Sequence, residues 1–268
     1  MLASALMACS PGAGPMLRPS SQRALVIPFQ LRQNQIFVEV SVDGSPPLTF
    51  VLDTGAPYNL IGLRQARSLG LPLQSVGRVV QGVGADPPDA YVVSRKLTVR
   101  LGDISLASQA LVAVPLDLPA ECADAPAGRA DSTRGGTGGA SSSVEGVLGK
   151  PLFDRFVVDI DYAAQRITFH EPTGYRYEGR GETLPLRMAD GIPVLDAKVT
   201  AAPRRSATAR LAVDLGASTA ITINRQFADS HQVLPAQETL RATNECGVGG
   251  QRRGPPSRDR STQCRSAT

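Results

Sequence analysis

An all-β chain of two related lobes is the architecture the sequence predicts, and three observations carry it. Short β-forming apolar runs recur between Gly, Pro and Asp turn residues, as in Ile36-Phe37-Val38-Glu39-Val40-Ser41-Val42 followed by Asp43-Gly44. The bulk composition agrees, with 26 Gly, 21 Pro, only 4% aromatic residues and no Trp, which suits many short strands joined by turns. An apolar-apolar-Asp-x-Gly-Ala pattern also occurs twice, at Val51 to Ala56 and at Ala212 to Ala217. At 268 residues the chain has room for two cores of ordinary size.

Residues 1–23 precede the first strand signal. Leu2 to Ala8 form a short apolar run, and the Leu6-Met7-Ala8-Cys9 ending is similar to a lipoprotein cleavage box. The run lacks a positive start and is short for an export signal. A truncated signal and a stretch without targeting function both fit, and residues 10–22, rich in Pro, Gly and Ser, read as a linker. Membrane anchoring would come only through a lipidated Cys9. The location is periplasmic or cell-envelope if the segment is an export signal, and cytoplasmic otherwise.

From residue 24 the strand signals begin. Leu25 to Phe29, Ile36 to Val42 and Leu48 to Leu52 predict strands, the last two joined by an Asp43-Gly44 turn. The third delivers Asp53 to a tight Thr54-Gly55 turn, which puts a carboxylate at a strand end. Asn59 to Ile61 predicts another strand, and Leu63 to Leu69 a short helix ended by Gly70. Two strand-like pieces, Val79 to Gln81 and Ala90 to Val93, flank a glycine-rich tip at Gly82-Val83-Gly84. Leu97 to Gly102 and Ala110 to Val114 continue the strands. Residues 121–143 carry a Gly/Ser run that cannot supply a core and read as a mobile surface insertion. That run lacks the Lys and following helix of a phosphate loop. Val144 to Gly149 resumes the apolar pattern, and Phe156 to Tyr162 with Arg166 to Phe169 predict a hairpin.

The second half looks like a repeat of the first. Gly191-Ile192-Pro193-Val194 opens a strand as Gln35-Ile36-Phe37-Val38 does, Arg225-Gln226 stands at the same distance from Asp214 as Arg64-Gln65 from Asp53, and Gly-Val-Gly recurs at 247–249. The expected layout is a first lobe over 24–177, an incomplete second lobe over 184–250, and a basic tail over 251–268. The tail's Arg/Pro/Gly content predicts disorder. No second apolar-apolar-Gly piece follows Asp214.

Asp53-Thr54-Gly55-Ala56, the candidate flap Gly82, Val83 and Gly84, and Val147-Leu148-Gly149, in that order, resemble the retropepsin-like aspartic proteases. The resemblance implies a β-barrel in tandem repeat with the second lobe truncated. It implies catalysis by Asp53 and Asp214, supported by Thr54, Gly55, Ala56, Gly216, Ala217, Ser218 and Gly149. Gly149 would permit a close backbone crossing beneath the Asp53 loop. It further implies a peptide or protein substrate, no cofactor, and catalysis either within one chain or in a homodimer of first lobes. One departure stands out: Leu215 occupies a place where the family has a hydroxyl that bonds across to the opposite loop, and Leu cannot donate. A catalytically inactive barrel that binds extended peptide by strand addition in the same cleft is the alternative.

Other function classes find little support. Arg252, Arg253, Arg258, Arg260 and Arg265 against Asp259 account for the whole net charge of +4, so no basic face remains for nucleic acid. Cys9, Cys122, Cys246 and Cys264 lack metal-ligand spacing, and His170 and His231 stand apart, so no metal site is expected. No stretch has the apolar length of a transmembrane helix.

Overall fold

The computed structural model describes residues 24–79, 89–116, 144–201, 205–233, 241–247, 250–257 and 263–266. The expected flap tip, Gly82 to Gly84, lies outside them, as do Cys9 and the expected insertion at 121–143.

The first lobe begins with β1 (Leu25–Pro28), β2 (Gln30–Arg32), β3 (Gln35–Val42), β4 (Leu48–Leu52) and β5 (Asn59–Gly62). Alternation in β3 fixes its face: Ile36, Val38, Val40 and Val42 are buried while Glu39 is exposed. A two-residue turn, Gln33-Asn34, joins β2 to β3 with both residues at positive φ (48° and 63°). That is the geometry whose twist matches a hairpin. The Asp43-Gly44 turn and a helix over Leu63–Ser68, closed by Gly70 at φ 63°, fall where the sequence places them.

Next come β6 (Leu73–Val79), β7 (Asp89–Val93), β8 (Leu97–Leu101), β9 (Ile104–Gln109), β10 (Leu111–Val114), β11 (Gly146–Leu148), β12 (Val157–Asp161) and β13 (Arg166–His170). The main sheet curls through the order β6-β7-β10-β5-β11-β4-β3-β8-β9, and β1-β13-β12 forms a smaller sheet. Their inward faces share one apolar core that includes Ile36, Phe50, Leu52, Ile61, Leu148 and Phe169. The architecture is all-β, a curled half-barrel.

The centre of that sheet is a crossing. β11 runs parallel to β4 (Val147 opposite Val51, Leu148 opposite Leu52) and antiparallel to β5 (Val147 opposite Leu60). It thus wedges between the strands that enter and leave the Asp53 loop. A Cβ on Gly149 would stand 2.4 Å from the carbonyl oxygens of both Ala56 and Tyr58. Only glycine passes so close to rigid backbone.

The second lobe holds β14 (Arg187–Ala189), β15 (Ile192–Ala201) and β16 (Arg205–Ala212) in one sheet, with a helix over Arg225–His231 after the Asp214 loop. The Asn224 side chain caps this helix, accepting from Phe227 N at 2.8 Å. Both lobes therefore place a helix at the repeated Arg-Gln pair, and both use a two-residue turn, here Asp190-Gly191, before the strand that feeds the loop pair.

Three further strands, β17 (Arg241–Gly247), β18 (Gly250–Ser257) and β19 (Gln263–Ser266), follow. β17 pairs with β18, and β19 pairs with β15. Much of the stretch whose composition predicts a disordered tail is thus assigned to strands. The physical reason is that ladder bonds need only backbone groups, so a segment without apolar alternation still pairs. Pro255 and Pro256 lie in β18, whose one partner among the described residues is β17; an unpaired edge is where a missing N–H costs no ladder bond.

Candidate active site

The Asp53 loop is fixed from below. Asp53 N donates to Leu148 O at 2.9 Å, Lys150 N donates to Ala56 O at 2.8 Å, and the buried Asn59 side chain accepts from Gly149 N at 2.9 Å. Within the loop Gly55 N donates to Asp53 Oδ1 at 2.7 Å, and Ala56 N reaches Asp53 O at 3.4 Å. A carboxylate that accepts from its own turn is held in one orientation.

The Asp214 loop repeats this pattern. Gly216 N donates to Asp214 Oδ1 at 2.8 Å, and Ala217 N reaches Asp214 O at 3.4 Å. Val213 N donates to Pro193 O at 2.8 Å, which ties the loop to the start of β15. Residues 161 positions apart in sequence thus build two loops with the same internal bonds.

The two loops face each other at contact distance. A Cβ on Gly216 would stand 2.4 Å from Asp53 Cγ, and a Cβ on Gly55 would stand 3.0 Å from Asp214 Cγ. Each glycine covers the opposite carboxyl group. Thr54 Oγ1 joins them, donating to Val213 O at 2.5 Å and accepting from Leu215 N at 3.0 Å. One hydroxyl therefore makes two bonds across the gap, while Leu215 makes none through its side chain. That side chain packs instead against the first lobe's core.

Two contacts were not legible in the sequence. Gln35 Nε2 donates to Gly216 O, and Asn34 Nδ2 donates to Ser218 O at 2.9 Å. Both donors come from the β2–β3 turn region. The turn itself has a local signal, an Asn at a position requiring positive φ, but nothing local says what it touches.

Electrostatics follow from the approach. Asp53 is half-buried and Asp214 exposed. Burial, then the charge of Asp214 and a hydrogen bond with it, push the Asp53 carboxyl from its ordinary 3.8 up to about 7. The backbone N–H groups of Gly55 and Ala56 oppose this and do not overcome it. The Asp214 charge adds to the cost of ionising Asp53, since like charges that close resist double ionisation.

Residues 38–152, the span from β3 through the crossing, match the family model described as aspartyl protease. The matched span lies within the first lobe and includes the Asp53 loop and the β11 crossing. Among solved structures, a retropepsin-like aspartic protease from Rickettsia conorii is similar with 16% identity and a TM-score of 0.35, covering 56% of this chain and 94% of its own. An aspartic proteinase from Irpex lacteus is similar with 13% identity and a TM-score of 0.44, covering 86% of this chain and 78% of its own. No curated protein matches the chain.

Of the sequence-expected site residues, the structure brings together Asp53, Thr54, Gly55 and Ala56 with Asp214, Gly216, Ala217 and Ser218, and sets Gly149 beneath them. The flap lies outside the described residues, although β6 and β7, which lead to and from it, pair antiparallel with Leu73 opposite Val93 and Val79 opposite Asp89. Among the described residues no cluster of three or more His, Cys, Asp or Glu is disposed to hold a metal ion. No described helix is long and apolar enough to cross a membrane.

Proposed function

We propose that the chain is an aspartic endopeptidase in which Asp53 and Asp214 act as one dyad. The observation that carries this reading is the contact of the two Asp loops through Thr54 Oγ1, with each glycine against the opposite carboxyl group. Peptide hydrolysis needs neither metal nor nucleophilic side chain when two carboxyl groups share a proton across an attacking water. Asp53, the more buried, carries the proton and hydrogen-bonds the scissile carbonyl oxygen. Asp214, the more exposed, takes a proton from the water as the water oxygen bonds to the carbonyl carbon. The C–N bond then breaks as a proton reaches the leaving nitrogen.

The supporting residues have separable roles. Gly55 N and Gly216 N orient the carboxylates, Thr54 sets their separation, and Gly149 lets the crossing strand approach from beneath. The substrate is an extended peptide, and the β6–β7 hairpin would close over it. A mixed peptide library incubated across the acid range, with and without a statine-type transition-state mimic, tests the reading. Turnover that the mimic removes and that Asp53→Asn abolishes is expected. Binding of peptides without turnover would instead favour a barrel that holds extended peptide without cutting it.

A further inference from the structure

The apolar core of the first lobe is built by residues 25–169, with one exception. Among the described residues Leu215 is the sole member of that cluster contributed by the second lobe. It sits directly after Asp214, at the place where the family resemblance expects a hydroxyl. From the reading of Asp53 and Asp214 as the dyad, we propose that Leu215 is a positioning residue, an apolar latch that seats on the first lobe's core and holds the Asp214 carboxylate against Asp53.

Three observations favour a latch over a mere loss of the hydroxyl. First, Thr54 already satisfies the backbone on both sides of Asp214, accepting from Leu215 N and donating to Val213 O. A hydroxyl at 215 would reach across to the Asp53 loop, which the backbone of Leu148 and Lys150 already fixes from below. Second, the Asp214 loop receives its other cross-lobe bonds from the first lobe too, through Gln35 to Gly216 O and Asn34 to Ser218 O. Third, the second lobe offers a small base of its own: its buried apolar residues among those described are Val194, Ala197, Val199, Ala209, Ala228 and Val233, three of them alanines. A loop with little support behind it is held from in front, and an apolar side chain docked on a packed core does so without a directional bond.

The latch reverses the direction expected from hydroxyl chemistry. If the missing hydroxyl were the defect, Leu215→Thr would raise kcat. With Leu215 as a latch, Leu215→Thr removes apolar contact, sets a hydroxyl against an apolar cluster, and lowers kcat. Leu215→Met, which keeps apolar volume, stays near the parent. Leu215→Ala lowers kcat about tenfold to a hundredfold, the scale of a small misplacement of reacting groups, and KM changes little because peptide-binding surfaces remain.

The test combines these kinetics with a carboxyl carbon-13 NMR titration of Asp53 in the full chain. In the parent the expected Asp53 midpoint is raised to about 7 by burial and by Asp214. In Leu215→Ala and Leu215→Thr the midpoint moves down, because Asp214 withdraws and water enters, and in Leu215→Met it returns. A purely structural role would lower the melting temperature without moving that midpoint. If Leu215→Ala does not fold, the smaller cut Leu215→Val is read in the same way. A faster Leu215→Thr enzyme, or a folded Leu215→Ala protein with the parent's midpoint, overturns the latch. Peptidase activity that survives Asp53→Asn would overturn the dyad reading instead, and the titration still decides the latch.

Discussion

At the residue scale, Asp53 ties function to pH in two separate ways. Its carboxyl group is held protonated up to about 7, chiefly by burial and then by Asp214. The proposed single-proton dyad is therefore expected to be lost as pH rises through about 7, and kcat/KM for peptide hydrolysis should fall along that limb. The same shift bears on stability. A carboxyl group whose folded pKa is raised above its unfolded value stabilises the fold fully below the unfolded value, near 3.8, and loses that contribution as pH rises toward 7. Asp53→Asn does not titrate, so its melting temperature should overtake that of the parent by a few degrees between pH 4 and pH 7 and then run parallel. A gap that stays constant across that range, followed by calorimetry, would contradict the shift. Asp53, Thr54 and Asp214 were legible in the sequence because each sits in a short motif with a strand before it and a glycine after it. The asymmetry between them was not, because burial depends on what packs around a residue rather than on its neighbours in the chain.

At the element scale, the two loops and the β2–β3 turn form a clamp whose tolerances differ. A Cβ on Gly216 would stand 2.4 Å from Cγ of the half-buried Asp53, which has little room to yield. Gly216→Ala should therefore cost about a hundredfold or more in kcat, as misplaced reacting groups do. A Cβ on Gly55 would stand 3.0 Å from Cγ of Asp214, which is exposed and can give way, so Gly55→Ala should cost less. Equal losses in a side-by-side kinetic comparison would count against this difference. Gln35→Ala removes the bond to Gly216 O. One hydrogen bond contributes roughly 0.5–1.5 kcal/mol, so kcat should fall by about tenfold or less, and a steady-state assay that finds no change would remove Gln35 from the clamp. The strands of the first lobe and the helix after the Asp53 loop could be read in advance because alternation and turn residues are local signals, whereas the helix at Arg225–His231 was marked in the sequence only by the repeated Arg-Gln spacing. The Gln35 and Asn34 contacts span more than 180 residues of sequence, and no periodicity reports a partner so distant. Strands β18 and β19 escaped the reading for another reason: their composition lacks apolar alternation, and their pairing rests on backbone groups that every sequence has.

At the scale of the whole molecule, the question is whether one chain supplies both carboxylates. The repeat places Asp214 in a loop with the internal bonds of the Asp53 loop, and the bonds from Thr54, Asn34 and Gln35 join the lobes within one chain. An intrachain dyad predicts three linked results. Asp214→Asn should be as damaging as Asp53→Asn, specific activity should not change on dilution, and an equal mixture of the two inactive variants should stay inactive. A homodimer of first lobes predicts otherwise: Asp214→Asn would be nearly silent, and activity per chain would fall on dilution as the dimer dissociates. A dimer that exchanges second lobes gives a third pattern. Both single variants would be inactive, yet mixing them would restore activity, because one of the two sites in each mixed pair would regain Asp53 from one chain and Asp214 from the other. The repeat by itself fits the intrachain and exchanged arrangements equally, since both put a first-lobe Asp against a second-lobe Asp. The bonds across the gap run between residues of one chain, which the segment 171–186 links, and an exchanged pair would repeat them between two chains. Recovered activity in the mixture, measured after the two variants are unfolded and refolded together, would show that this link opens to exchange lobes; its absence, with activity unchanged on dilution, assigns the whole site to one chain.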